Sequence, residues 1–90
     1  MEITILGPEC ARCLRLEIMV LQALVQLKTK ARVEKVTDER VINRRLAGMA
    51  PPGLMINGQL FWAGGEVAPR EKVVEWIEGA LRTSMSEDPR

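Results

Sequence analysis

Apolar residues at Ile3 and Ile5, with Leu6 following, have the spacing of a short strand, and Gly7-Pro8 supplies the turn that ends it. From Cys10 to about Lys28 the composition becomes helical, rich in Leu, Ala, Gln, Arg and Glu. Arg15, Gln22 and Gln26 gather near one face of that helix, while Leu14, Ile18, Leu21, Val25 and their neighbours occupy most of the rest. So wide an apolar surface predicts a central helix covered on more than one side. Ala31 to Val36 alternates and reads as a second strand. Thr37-Asp38-Glu39 then offers a capping hydroxyl and acids suited to a helix start. Val41, Ile42 and Leu46 form the apolar stripe of this short helix, Arg44 and Arg45 suit its last turn, and Gly48 marks its exit.

Pro51-Pro52-Gly53 interrupts the chain. Beyond it, Leu54-Met55-Ile56 and Gln59 to Ala63 flank Asn57-Gly58, the dipeptide of a two-residue β-hairpin. Phe61 and Trp62 are neighbours on the second hairpin strand, so alternation places Phe61 in the core and turns Trp62 outward. After the Gly64-Gly65 turn, Pro69 fits a first helical position, and Val73, Trp76, Ile77, Ala80 and Leu81 make the inward face of a closing helix. The expected order is β-α-β-α-β-β-α in a single domain over 1–82, with a flexible polar tail over 83–90.

Composition narrows the chemistry. Thirteen basic residues against 12 acidic ones leave a charge of +1, and the basic residues are scattered, so neither a nucleic-acid partner nor an anionic membrane is expected. The first residues lack the basic flank and long apolar run of a signal peptide, and no stretch has the length of a membrane span, which predicts a cytoplasmic protein. Histidine and tyrosine are absent. That removes Cys–His and Ser–His–Asp catalysis, histidine-ligated zinc and a tyrosine acid or base.

The chain has two cysteines, in Cys10-Ala11-Arg12-Cys13, where a strand and a tight turn run into a helix. Unpaired amide hydrogens and the positive end of the helix dipole stabilise a thiolate there. A second cysteine one turn along is placed to displace a substrate from a mixed disulfide at the first. Cys10 is therefore the expected nucleophile and Cys13 the resolving thiol. Arg12 should favour the Cys10 thiolate and Glu9 should oppose it. Three other uses of the pair stay open. Both could be plain core residues. They could be half of a zinc site shared between molecules, since closed structural zinc takes four ligands. Or two thiolates could carry a soft ion such as Cu(I).

Gly7-Pro8-Glu9-Cys10-Ala11-Arg12-Cys13, Glu34-Lys35-Val36-Thr37-Asp38, Pro52-Gly53-Leu54-Met55-Ile56-Asn57-Gly58 and Ala63-Gly64-Gly65 together resemble the compact thioredoxin-like proteins called redox-active disulfide protein 2, relatives of thioredoxins and glutaredoxins. The likeness runs from about Glu2 to Leu81. It implies an α/β thioredoxin-like fold, a four-stranded mixed sheet flanked by three helices. It also implies a disulfide oxidoreductase with no cofactor or metal beyond the redox-active Cys10–Cys13 pair. Disulfide-containing proteins would be its substrates, and a flavin-dependent, thioredoxin-reductase-type enzyme its electron donor. A monomer or a weak homodimer through the first helix is expected. Pro52 matches the family's cis-proline, and Pro51, Pro52 and Gly53 match the edge of its substrate groove. Three departures stand out. Glu9 replaces the aromatic residue usual before the first cysteine, and the place of a buried aspartate falls near Thr4. Pro51 stands where a backbone N–H would pair with an extended substrate.

Overall fold

The computed structural model of the 90-residue chain describes residues 1–8 and 10–86. The elements are β1 (Glu2–Leu6), α1 (Ala11–Gln26), β2 (Arg32–Val36), α2 (Glu39–Leu46), β3 (Gly53–Ile56), β4 (Gln59–Trp62) and α3 (Arg70–Ser86). They follow the order expected from the sequence. The four strands form one mixed sheet, β2-β1-β3-β4, with β1 parallel to β2 and antiparallel to β3, and β3 antiparallel to β4. Among the described residues no helix is long and apolar enough to cross a membrane.

β1 lies in the interior of this sheet, and its residues serve two cores because successive side chains leave opposite faces. Ile3 and Ile5 join Leu16, Val20, Ala23 and Leu24 of α1, Leu54 and Ile56 of β3, and Val73 and Ile77 of α3. Leu6 turns the other way, to Ile42 and Leu46 of α2. Two helices thus cover one face and the third covers the other. At the hairpin, Asn57 and Gly58 have φ of 52° and 82°, both left-handed, as a type I′ turn requires. The turn is tied to the start of β1, with the Asn57 N–H donating to the Glu2 carbonyl at 2.7 Å and the Glu2 N–H to Asn57 Oδ1 at 2.9 Å.

Several local expectations are corrected. The cap of α2 is the Asp38 carboxylate, which accepts the Arg40 N–H at 2.9 Å, rather than the Thr37 hydroxyl. Gly48 does mark the exit of that helix, left-handed at φ 86° with its N–H donating to the Asn43 carbonyl at 3.3 Å, and Ala47 before it is also left-handed at φ 53°. Pro69 precedes α3, its carbonyl accepting the Val73 N–H at 3.1 Å, so it caps the helix from one position earlier than expected. Part of the presumed tail is helical, since α3 continues to Ser86, and 87–90 lie outside the described residues.

Strict alternation also fails on β4. Leu54 pairs with Trp62 while Met55 pairs with Leu60, leaving Phe61 as the extra residue of a bulge. Both rings are half-buried and meet Trp76, with centroid separations of 5.9 Å for Phe61 and 6.1 Å for Trp62. Trp62 is further held by its indole N–H, which donates to the Glu66 carbonyl at 2.9 Å.

The largest departure concerns α1. Its inner stripe is sealed, but Leu14, Ile18, Leu21 and Val25 remain 42%, 54%, 44% and 77% exposed. The helix is covered on one side within this chain. The sheet and α3 meet the arc centred on Leu16 and Val20, and among the described residues no further helix or strand crosses the outer arc. Stability should follow this division. Leu16→Ala, which empties a fully buried site, is expected to cost about 2–5 kcal/mol. Val25→Ala should stay within about 0.5 kcal/mol of the parent. Urea unfolding of the reduced proteins measures both.

Candidate active site

Docking of the inner face of α1 on β1 fixes where the helix begins. Leu6 ends the strand fully buried, Gly7 follows it, and α1 starts at Ala11. Gly7 stays attached to the sheet, its N–H donating to the Val36 carbonyl of β2 at 3.0 Å. The chain therefore leaves a rigid edge and re-enters regular structure within a few residues, with both cysteines at the junction.

Cys10 is the N-cap of α1, with extended dihedrals of φ −74° and ψ 168°. Its sulfur accepts the Cys13 N–H at 3.2 Å, and its carbonyl accepts the Leu14 N–H at 2.9 Å. The sulfur thus takes one of the amide hydrogens that a helix start leaves without a carbonyl. The same place suits a sulfur carrying negative charge, because the dipole of the helix is positive there. Cys10 and Cys13 are joined as a disulfide with Cα atoms 5.0 Å apart. Their surroundings differ. Cys10 is half-buried at the mouth of the helix, whereas Cys13 is 4% exposed and lies inside the first turn. An incoming disulfide can meet the first sulfur, and the second is reached from within.

The β1–β3 register brings the proline segment to the same edge. Leu6 pairs with Gly53, so Pro52 follows on beside Gly7. The Pro51–Pro52 peptide bond is cis, Pro52 is fully buried and Pro51 half-buried. Gly53 is crowded, as a Cβ there would stand 2.5 Å from Leu46 Cδ2, the end of a flexible side chain, and 3.4 Å from the Trp62 carbonyl oxygen. Thr4 lies mid-strand on β1, half-buried, paired with Glu34 and Met55. Arg12 is exposed on the first turn of α1. Glu9, expected to act on the thiol with Arg12, lies outside the described residues.

Gly7 is the site residue that sequence reasoning passes over, because Gly-Pro reads as turn chemistry. A Cβ placed on it would run into Cys13 Sγ and lie 3.9 Å from Pro51 Cβ. It therefore sits between Cys13 and Pro51. Nothing in the local pattern distinguishes a glycine needed for space from one needed for a bend.

With the geometry in place, the comparisons agree with it. Thioredoxin 1 from the thermophilic eubacterium Thermosipho africanus TCF52B superposes with a TM-score of 0.59, covering 93% of this chain and 98% of its own. At 15% identity that likeness concerns the fold. A search of curated proteins matches none of them. A family model described as a thioredoxin domain matches residues 1–78. A four-stranded mixed sheet, a Cys-x-x-Cys pair at the head of its first helix and this match over most of the chain lead to one conclusion: the protein belongs to the thioredoxin-domain family.

Proposed function

We propose that this protein is a thiol–disulfide oxidoreductase that reduces disulfide-bearing proteins, with Cys10 attacking and Cys13 resolving. One observation carries the reading: Cys10 caps α1 with its own sulfur while remaining disulfide-bonded to a cysteine in the first turn. In the reduced protein, the Cys10 thiolate attacks one sulfur of the substrate disulfide. A Cys10–substrate bond forms, and the other substrate sulfur leaves as a thiolate. Cys13 then attacks Cys10 Sγ, closing the Cys10–Cys13 bond and releasing the second substrate thiolate. Two electrons pass to the substrate, and the two thiol protons end on its released sulfurs. Renewal of the dithiol needs an outside donor, for which a flavin-dependent reductase of the thioredoxin-reductase class is the proposal. A reducing compartment such as the cytoplasm suits the motif, since two cysteines there seldom act as a structural staple.

The groove edge is proposed to be Pro51, Pro52 and Gly53. Because Pro51 has no N–H to offer an extended substrate backbone, the groove supplies one hydrogen bond fewer than a non-proline residue would allow. The expected consequence is looser, less selective peptide binding.

Two experiments test this reading. Cys13→Ser should accumulate a covalent adduct at Cys10, read by intact mass under non-reducing conditions, and Cys10→Ser should form none. Serine is itself a favoured helix cap, so that second loss is chemical rather than structural. Absence of any adduct at Cys10 in the Cys13→Ser protein contradicts the assignment. In the same background, Pro51→Thr should tighten noncovalent peptide binding by roughly five-fold, the worth of one hydrogen bond of about 1 kcal/mol. Unchanged affinity by calorimetry would argue against Pro51 as part of the groove.

A further inference from the structure

Gly7 is buried, and its φ lies outside the left-handed region that favours glycine. Space, not backbone freedom, is what it provides. A Cβ built on Gly7 collides with Cys13 Sγ and stands 3.0 Å from Cys13 Cβ. After those two atoms the nearest is Pro51 Cβ at 3.9 Å, so no atom of Cys10 comes as close. The floor cannot easily retreat. Gly7 is held by its 3.0 Å hydrogen bond to the Val36 carbonyl, and Leu6 before it is fully buried between Val36 and Gly53. The sulfur of Cys13, by contrast, turns about a single side-chain torsion. A methyl group on Gly7 would therefore move the sulfur. Gly53 is crowded in a different way, against the flexible end of Leu46 rather than a reacting atom.

We infer that Gly7 is a positioning residue for the second half of the exchange: its missing side chain is the pocket that holds Cys13 Sγ in line with Cys10 Sγ. The inference rests on the exchange reading given above. In the resolving step the Cys13 thiolate attacks Cys10 Sγ, the Cys10–Cys13 bond forms and the Cys10–substrate bond breaks. The substrate sulfur departs with the electron pair and takes up a proton from water. Such a displacement depends on the approach of the attacking atom, and a misplacement on the order of 1 Å costs about 100-fold. The first attack, made by Cys10 from the helix cap, does not use the pocket.

Stopped-flow reaction of the reduced full-length protein with dithiobis(nitrobenzoate) separates the two steps. One coloured thiolate is released when Cys10 attacks and a second when Cys13 resolves. Gly7→Ala should leave the first release within about three-fold of the parent and slow the second by roughly ten-fold or more. Equal slowing of both releases, or no change in either, overturns the inference. Cys13→Ser, run alongside, should show the first release alone; if it shows none, the exchange reading itself fails. A double-mutant cycle keeps the test valid should Gly7→Ala fold poorly. In urea unfolding of reduced proteins, Gly7→Ala should destabilise the parent more than it destabilises Cys13→Ala. An equal loss in both backgrounds overturns the inference.

Discussion

A helix cannot satisfy its own leading amide hydrogens, and in this protein a sulfur accepts one of them. The Cys13 N–H points at Cys10 Sγ, 3.2 Å away, because Cys10 occupies the cap of α1. That contact is available only if the helix starts where it does. The start is set by the docking of Leu16, Val20, Ala23 and Leu24 on Ile3 and Ile5, which holds α1 against β1. Hydrophobic burial far from the sulfurs thus fixes the electrostatics at the sulfurs. The backbone dipoles of the helix start are aimed at the place where that sulfur sits.

The other half of the site comes from the opposite direction along the sheet. β3 runs antiparallel to β1, so the segment entering it, Pro51-Pro52, arrives at the edge that β1 has just left. Gly7 and Gly53 permit this convergence, since a side chain on either would meet a neighbour already in place. The small core of Leu6, Ile42 and Leu46 on the far face supports Gly53 from behind. Removing bulk at two backbone positions lets two strand ends and a helix start share one small space.

Much of this was legible in the residues. Period-two and period-three-to-four patterns give the seven elements in order, Asn57-Gly58 gives the hairpin, and Cys10 to Cys13 are placed at the strand-to-helix junction. What escaped is what depends on neighbours distant in sequence. An apolar helix surface predicts burial, but whether an element lies over Leu14, Ile18, Leu21 and Val25 is decided by topology, and among the described residues none does. Alternation predicts opposite faces for Phe61 and Trp62, yet the bulge at Phe61 lets both rings meet Trp76. Thr37 and Asp38 are both good caps by type, and only the path of the chain selects the carboxylate. Gly7 shows the same limit within the site, since its role is defined by Cys13 and Pro51, which reach it through the fold.

The central claim is that the helix start makes two chemically identical thiols unequal. Site-resolved alkylation of the reduced protein by iodoacetamide at neutral pH, followed by mass spectrometry of the peptides, measures that inequality directly. The account predicts that Cys10 is modified roughly ten-fold faster than Cys13 or more, as befits a thiolate-favouring cap beside a buried partner. Equal rates, or faster modification of Cys13, would contradict it.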